Sequence, residues 1–349
     1  MSTVITVVSA LLVFGFLIFI HEFGHYIFAR IFKVKINEFS IGMGPKLLWY
    51  TSKKTNIQYS LSMFPIGGYV AMAGENEEDD DPNSFDKKPA WQRFFITIAG
   101  ASVNIIAGFL AMILLTTMIN IGNTTVAQFV DKGETGYEIS SYESGLREGD
   151  VITSVNGKRV YILDELSYEI MRQGNKPVTL TVLRDGKEST LENVIFPTIS
   201  EQDQTFGAMD FKVQRVEKSF ARVMSFSLHK STLIIRMCWE SLYDLITGRY
   251  TFAAVSGPVG ISGAIGNAVK EGFTSLLYIT ALISINLGVM NLLPIPALDG
   301  GRMITLLFEM ITKKRIPVKV EGIINAVGLA LLLLLTVVVM VKDVIQLII

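Results

Sequence analysis

Four segments of this 349-residue chain are apolar almost without interruption, and the stretches between them follow other patterns. The apolar segments fall at about 4–32, 94–121, 273–296 and 323–349. Each is long enough to cross a hydrocarbon core of about 30 Å as a helix. The third runs into Pro294 and Pro296, which should break it just before Asp299. Between the first two, Ile57, Tyr59, Leu61 and Met63 alternate with other residues as in a strand. Phe64 to Gly68 then reads as a turn and Tyr69 to Met72 as the returning arm of a β-hairpin, within a region of about 39–74. Residues 125–200 carry short alternating runs closed by Asn156-Gly157 and Asp185-Gly186, with a helical stretch near Leu163–Arg172. That order predicts a small α+β domain. Residues 201–271 form a linker region around Phe220–Ile246, which mixes large apolar residues with Arg222, His229, Lys230, Arg236, Glu240 and Asp244. An amphipathic helix on the outer membrane surface fits that mixture. A fifth span would place all six ionisable groups in lipid.

Charge orients the spans. The loop from Arg30 to Arg93 holds nine Lys/Arg and the one from Arg302 to Lys319 holds five. The positive-inside rule puts both in the cytoplasm, with both termini and the 125–200 domain outside. The seven Lys/Arg between Lys212 and Arg249 run against that placement. The chain thus divides into an N-terminal membrane part (1–124), an external domain (125–200), the external linker region (201–271) and a C-terminal membrane part (272–349). Composition agrees: half the residues are hydrophobic and 18% are charged, which suits a membrane protein with a water-soluble insert. A net charge of −1 leaves no nucleic-acid footprint, and the single Cys238 excludes an internal disulfide or a cysteine zinc cluster. A transporter would be expected to show internal repeats, and the sequence has none that we detect.

The candidate chemistry sits in the first apolar segment. His21-Glu22-Phe23-Gly24-His25 places two imidazoles four residues apart on one helical face. That spacing lets both bind one Zn²⁺ and leaves Glu22 free as general base. Ionisable residues are costly in a membrane and need a reason to be there. A zinc site needs a third protein ligand, and Asp299, after the third span, is the candidate at similar depth. The competing role for Asp299 is a cap on the following helix. Asn291 either donates a hydrogen bond to the substrate backbone or caps the broken helix. Glu309 and Glu321 are rival third ligands, but lack the Gly-Pro surroundings of Asp299. In the expected mechanism zinc acidifies a water, Glu22 takes its proton and the oxygen attacks a peptide carbonyl. The hairpin edge is the expected receiver for an unwound substrate segment added as a strand.

Together these residues resemble the site-2 protease family of intramembrane zinc metalloproteases, in its bacterial regulator-of-sigma-factor branch. His21 to His25 matches the family's HExxH. Asn291-Leu292-Leu293-Pro294-Ile295-Pro296-Ala297-Leu298-Asp299-Gly300-Gly301 matches its NxxPxxxLDG, which implies Asp299 as third ligand and Asn291 and Pro294 near substrate. Gly67 and Gly68 lie in a segment similar to the family's membrane-associated hairpin and are further expected substrate contacts. Ser256 to Ile261 matches a segment before the third span, and Ala99 to Asn104 is similar to AGPxxN with Ala101 in place of Pro. Gly145 to Gly157 and the elements after it resemble a PDZ domain. The resemblance implies a multi-pass α-helical membrane protein of four transmembrane helices, with a membrane-associated β-hairpin and one extracytoplasmic PDZ domain. It also implies one Zn²⁺ per chain, residence in the bacterial inner membrane, and a zinc site within the bilayer toward the cytoplasmic side. The implied substrates are single-span membrane proteins already cut by another protease, such as anti-sigma factors or remnant signal peptides. The PDZ domain would take a peptide or the substrate's ectodomain, or only restrict access by size. The alternative is a catalytically silent scaffold that binds peptides through that domain.

Overall fold

The apolar segments become helices that approach one another through glycine. A computed structural model describes residues 3–75, 77–130, 140–201, 204–249 and 255–348. In chain order the elements are α1 (Thr3–Ile31), β1 (Ile36–Thr51), β2 (Gln58–Met72), α2 (Ala90–Met118), β3 (Ile121–Phe129), β4 (Val151–Val155), β5 (Lys158–Arg159) and α3 (Leu163–Gln173). They continue as β6 (Val178–Arg184), β7 (Lys187–Val194), β8 (Thr198–Glu201), β9 (Gln204–Gly207), β10 (Phe211–Val216), α4 (Phe220–Ile246), α5 (Pro258–Glu271), α6 (Phe273–Asn291), α7 (Asp299–Thr312) and α8 (Val318–Ile348). Among the described residues four helices, α1, α2, α6 and α8, are long and apolar enough to cross a membrane. This is a membrane protein of mixed helix and sheet. The chain forms two compact units, Met1–Ala111 with Ile234–Ile349, and Met112–Leu233. Residues 131–139 of the expected external domain and 250–254 of the expected linker region lie outside the described residues.

In the first unit small residues set the helix spacing. A Cβ on Gly24 of α1 would stand 2.6 Å from the Ala99 carbonyl oxygen of α2. One on Gly288 of α6 would stand 2.7 Å from the Ala101 carbonyl oxygen, and one on Gly108 of α2 would stand 2.5 Å from Ile285 Cγ1. Ser284 Oγ adds a hydrogen bond to the Asn104 carbonyl at 2.8 Å. Lipid offers apolar side chains no incentive to leave it, so such close backbone approach supplies the packing. The fully buried Ala101 lies within this contact, and α2 runs through it unbroken.

The hairpin expectation needs correction. Phe64 to Gly68 does not turn one arm back on another, because β2 runs through it from Gln58 to Met72. Its two halves flank the start of β1: Phe39 faces Val70 on one side and Tyr59 on the other, and Ile41 faces Gly68 and Leu61. Trp49 to Thr51 then pair with Ser60 to Gln58. Four strand segments therefore lie side by side, in the order 68–72, 36–41, 58–61 and 48–51. Gly42, Gly44 and Gly67 bend the strands at φ of 85°, 89° and 89°. The segment 68–72 is an edge, and no strand pairs with its outer side among the described residues. The alternation in 57–63 was visible in sequence, but its partner strand lay upstream in a run broken by Gly and Pro.

Helices α5 and α8 are tied by one carboxylate. Asp343 Oδ2 accepts the backbone N–H groups of Gly257 and Gly260, each at 2.9 Å. These are free donors of the α5 N-terminus, where Pro258 takes the first position. Lys342 Nζ donates to the Val255 carbonyl.

The second unit holds a sheet in the order β10-β3-β4-β6-β7, with β5 beside β4. Helix α3 buries Leu166 and Ile170 against Ile152, Leu180, Val182 and Phe211 of the sheet. Both turns expected from Asn-Gly and Asp-Gly are present, with Asn156, Gly157, Asp185 and Gly186 all at positive φ.

Candidate metal centre

The site is assembled by three helices. His21 and His25 lie one turn apart on α1, with their Nε2 atoms 3.2 Å from each other. Asp299 is the first residue of α7, and its Oδ2 stands 3.2 Å from His21 Nε2 and 3.5 Å from His25 Nε2. A tetrahedral zinc with bonds of about 2.05 Å sets neighbouring ligand atoms about 3.3 Å apart. The three separations observed bracket that value. With both Nε2 atoms deprotonated, three lone-pair atoms converging this closely would favour a cation between them. Asp299 Oδ2 is buried and accepts no hydrogen bond, so its charge is open to a cation. The group of His21, His25 and Asp299 can hold a metal ion.

Asp299 does not cap its own helix. The cap position is Leu298, and no side-chain cap bond forms there. The chain reaches it through Ala297 at φ 74°, a left-handed conformation that costs a non-glycine residue energy. Helix α6 ends at Asn291, three residues before the first proline. The glycines after Asp299 serve the backbone: a Cβ on Gly300 would strike the Leu292 and Leu293 carbonyls, and one on Gly301 would strike that of Ile295. They let 292–296 fold directly onto α7, rather than making room for the metal.

Helix α2 provides the floor. His25 Nδ1 lies 2.8 Å from the Ile96 carbonyl oxygen, which takes its N–H and leaves Nε2 as the lone-pair atom. A Cβ on Gly100 would collide with that Nε2. The fully buried Asn104 side chain reaches His21 Nδ1 at 3.2 Å.

Three ion pairs fix α7. Arg302 donates to Glu75 Oε1 at 2.6 Å and to the Glu75 carbonyl at 2.9 Å, and its Nε lies 3.4 Å from Glu321. Arg93 reaches Glu309 at 2.5 Å. Glu309 and Glu321, the rival third ligands, are thus engaged by arginines. Sequence reasoning did not find Arg302, Arg93 or Glu75. Their only signal was an arginine three residues beyond Asp299, on the same helical face.

A cavity of about 710 Å³ opens onto the site. His21, Glu22, His25, Asn291 and Asp299 line it, and so does the continuous stretch Tyr69 to Glu75. Of the expected substrate contacts, Asn291 lies on this wall, whereas Pro294, Gly67 and Gly68 do not. Gly68 is instead buried behind Glu22, where an added Cβ would stand 3.4 Å from Glu22 Cγ.

Two histidines and an aspartate at this spacing form a group that can hold a metal ion, and sequence comparison gives the lineage. The chain belongs to peptidase family M50, the site-2 proteases, whose profile matches residues 9–335. Relatives named as candidate zinc metalloproteases are similar over nearly the full length. One from Clostridium acetobutylicum is 35% identical over 341 residues, covering 97% of each chain. Another from Fusobacterium nucleatum is 32% identical over 343 residues, covering 97% of this chain and 98% of its own. A third from Campylobacter jejuni is 33% identical over 344 residues, covering 93% and 89%. The protein is a zinc metalloprotease that acts on protein substrates, and the donor set found here suits its metal.

Proposed function

We propose that the protein is an intramembrane endopeptidase that cuts the transmembrane segments of single-span membrane proteins. His21, His25 and Asp299 hold the zinc, and Glu22 is the catalytic base. The observation that carries this reading is the meeting of three candidate ligand atoms at 3.2–3.5 Å, from residues 21 and 25 within the apolar α1 and residue 299 at the start of α7. When bound, zinc acidifies a water and polarises the scissile carbonyl. Glu22 faces the same cavity, takes a proton from the attacking water and returns it to the leaving amine. Asn291 donates its side-chain N–H to the substrate carbonyl. Ile96 holds the His25 ring through Nδ1.

A helical substrate hides its carbonyls in internal hydrogen bonds, so the cut segment must unwind. The edge at 68–72 offers it a partner, and Tyr69 to Met72 also line the cavity. Substrate backbone adds to this edge as a strand. This moves the proposed substrate contacts from Gly67 and Gly68 to Tyr69–Met72, the part of the same strand that lines the cavity. In this reading the site lies toward the cytoplasm in a bacterial inner membrane, with both termini outside, and the lysine- and arginine-rich loops support that orientation.

The 125–200 region is in this reading an extracytoplasmic PDZ domain, supported by its sheet, α3 and the Gly145 to Gly157 motif. It engages a peptide or the ectodomain of a substrate already trimmed by another protease, such as an anti-sigma factor or remnant signal peptide. Glu22→Gln tests the mechanism. In purified full-length enzyme facing a single-span substrate in proteoliposomes, zinc should stay stoichiometric while cleavage falls by about 10²–10⁴. Undiminished cleavage would remove Glu22 from the reaction.

A further inference from the structure

We propose that Asn104 is a positioning residue for the metal centre: its side-chain oxygen accepts the Nδ1–H of His21 and so turns the His21 Nε2 lone pair toward the zinc. The inference rests on the reading of His21 as a ligand.

A neutral imidazole that binds metal through Nε2 carries its proton on Nδ1, and that proton needs an acceptor. His25 has one in the Ile96 carbonyl, at 2.8 Å. The neighbour of His21 Nδ1 is the Asn104 side chain, at 3.2 Å through Nδ2. In that orientation Nδ2 would donate to Nδ1, and the His21 proton would be forced onto Nε2, the atom facing Asp299. The two ends of an amide group are the same size, so the alternative orientation fits the same space. Asn104 Oδ1 is buried and has no hydrogen-bond partner, so nothing on the oxygen side holds the amide in the first orientation. Turning it places the oxygen against Nδ1–H and restores Nε2 as the metal-facing lone pair.

The surroundings fix Asn104 in place. It is fully buried in α2, its backbone carbonyl accepts Ser284 Oγ of α6, and Gly100, one turn earlier, leaves the space that His25 Nε2 occupies. A single helix therefore supports both histidines, through a backbone carbonyl for one and a side chain for the other. A buried asparagine could instead serve only as a polar bond between helices. The two roles make opposite demands on the amide. The positioning role needs the oxygen, and a donor role needs the NH2.

Zinc affinity, measured by competition with a chromophoric chelator on purified full-length protein, separates them. Asn104→Leu should weaken zinc binding by about 10–100-fold. Asn104→Asp keeps the acceptor, loses the donor and should bind zinc at least as tightly as the native protein. The metal-free variants should melt close to the metal-free native protein, and the Co²⁺ absorption bands should shift in the Leu variant but not in the Asp variant. His21→Ala serves as the reference for ligand loss. Native zinc affinity in Asn104→Leu, alongside its loss in His21→Ala, overturns this inference alone. Equal loss in the Leu and Asp variants overturns it in favour of the donor role. Unchanged zinc in His21→Ala overturns the ligand assignment and this inference with it.

Discussion

Asp150 and Asp210 of the sheet-bearing unit and Asp299 of the helical unit are buried carboxylates in opposite situations. In the sheet-bearing unit, Asp150 is fully buried and accepts two bonds from Arg184 at 2.7 Å each and one from the Arg147 N–H at 2.9 Å. Asp210 is as deeply buried and takes the N–H groups of Ser140 and Ser141 at 2.9 Å and the Ser141 hydroxyl at 2.6 Å. Both oxygens of each are accounted for, and both groups pin loops to the sheet. In the helical unit, Asp299 Oδ2 is buried among two imidazole nitrogens and accepts nothing. A carboxylate that is buried and satisfied contributes to the fold. Asp299, with an idle oxygen facing two imidazoles, is held there by the rest of the fold for another purpose.

Exchanging each kind for alanine tests this contrast most strongly. Asp299→Ala should abolish cleavage and remove stoichiometric zinc, while the melting of the metal-free protein moves little. Asp150→Ala should do the reverse. It should destabilise its own unit by about 2 kcal/mol, the worth of charged hydrogen bonds to a partly exposed arginine, and leave zinc stoichiometry unchanged. Metal analysis and differential calorimetry on the same preparations read both. Loss of zinc in Asp150→Ala, or full zinc in Asp299→Ala, would collapse the distinction.

The same contrast explains what was legible in the sequence. His21, Glu22 and His25 stood out because an apolar span makes any polar residue conspicuous, and the prolines before Asp299 marked where a second span breaks. In the other unit, Asn156-Gly157 and Asp185-Gly186 announced their turns because each needs a positive φ. What stayed hidden were the links that depend on three-dimensional approach. Arg302 looked like one more cytoplasmic charge, although it joins Glu75 and Glu321 across long sequence gaps. Asn104 was seen only within a motif, since its closeness to His21 depends on how α1 and α2 pack. The strand pairing was half visible: the alternation at 57–63 was clear, but not that β1 would lie between the halves of β2. Gly67 and Gly68 were expected at substrate because their segment resembles the family's membrane-associated hairpin. Their close approaches are instead to Met43, Ser40 and Glu22.

An intermediate effect is expected where packing meets chemistry. Gly24 lies inside the zinc motif yet touches no ligand atom of the site, and its Cβ would press on the Ala99 carbonyl. Gly24→Ala should push α1 from α2, at a cost of about 1–3 kcal/mol for overpacking. Because α2 holds both histidine rings, zinc affinity should fall along with stability. By contrast, Gly157→Ala meets nothing within 4 Å, and its cost should be limited to the strain of φ 78°. Zinc titration of the two variants is the measurement. A Gly24→Ala protein with native zinc affinity would show that the helix spacing is less exacting than the contacts imply.

The smallest effect is expected at Asp343, which extends the comparison to a satisfied carboxylate within the helical unit. Its Oδ2 closes the α5 N-terminus through Gly257 and Gly260, much as Asp210 closes the turn at Ser140 and Ser141. If the decisive variable is whether the oxygens are occupied, rather than which unit they sit in, Asp343 should behave like Asp150 and unlike Asp299. Asp343→Asn keeps an acceptor oxygen and removes the charge that favours a helix N-terminus, a loss of about 1 kcal/mol. Melting should fall slightly, and zinc content should be unaffected. Zinc loss in Asp343→Asn would mean that the clamp between α5 and α8 governs the ligand geometry, and that satisfaction of the carboxylate does not separate structural from chemical roles in this unit.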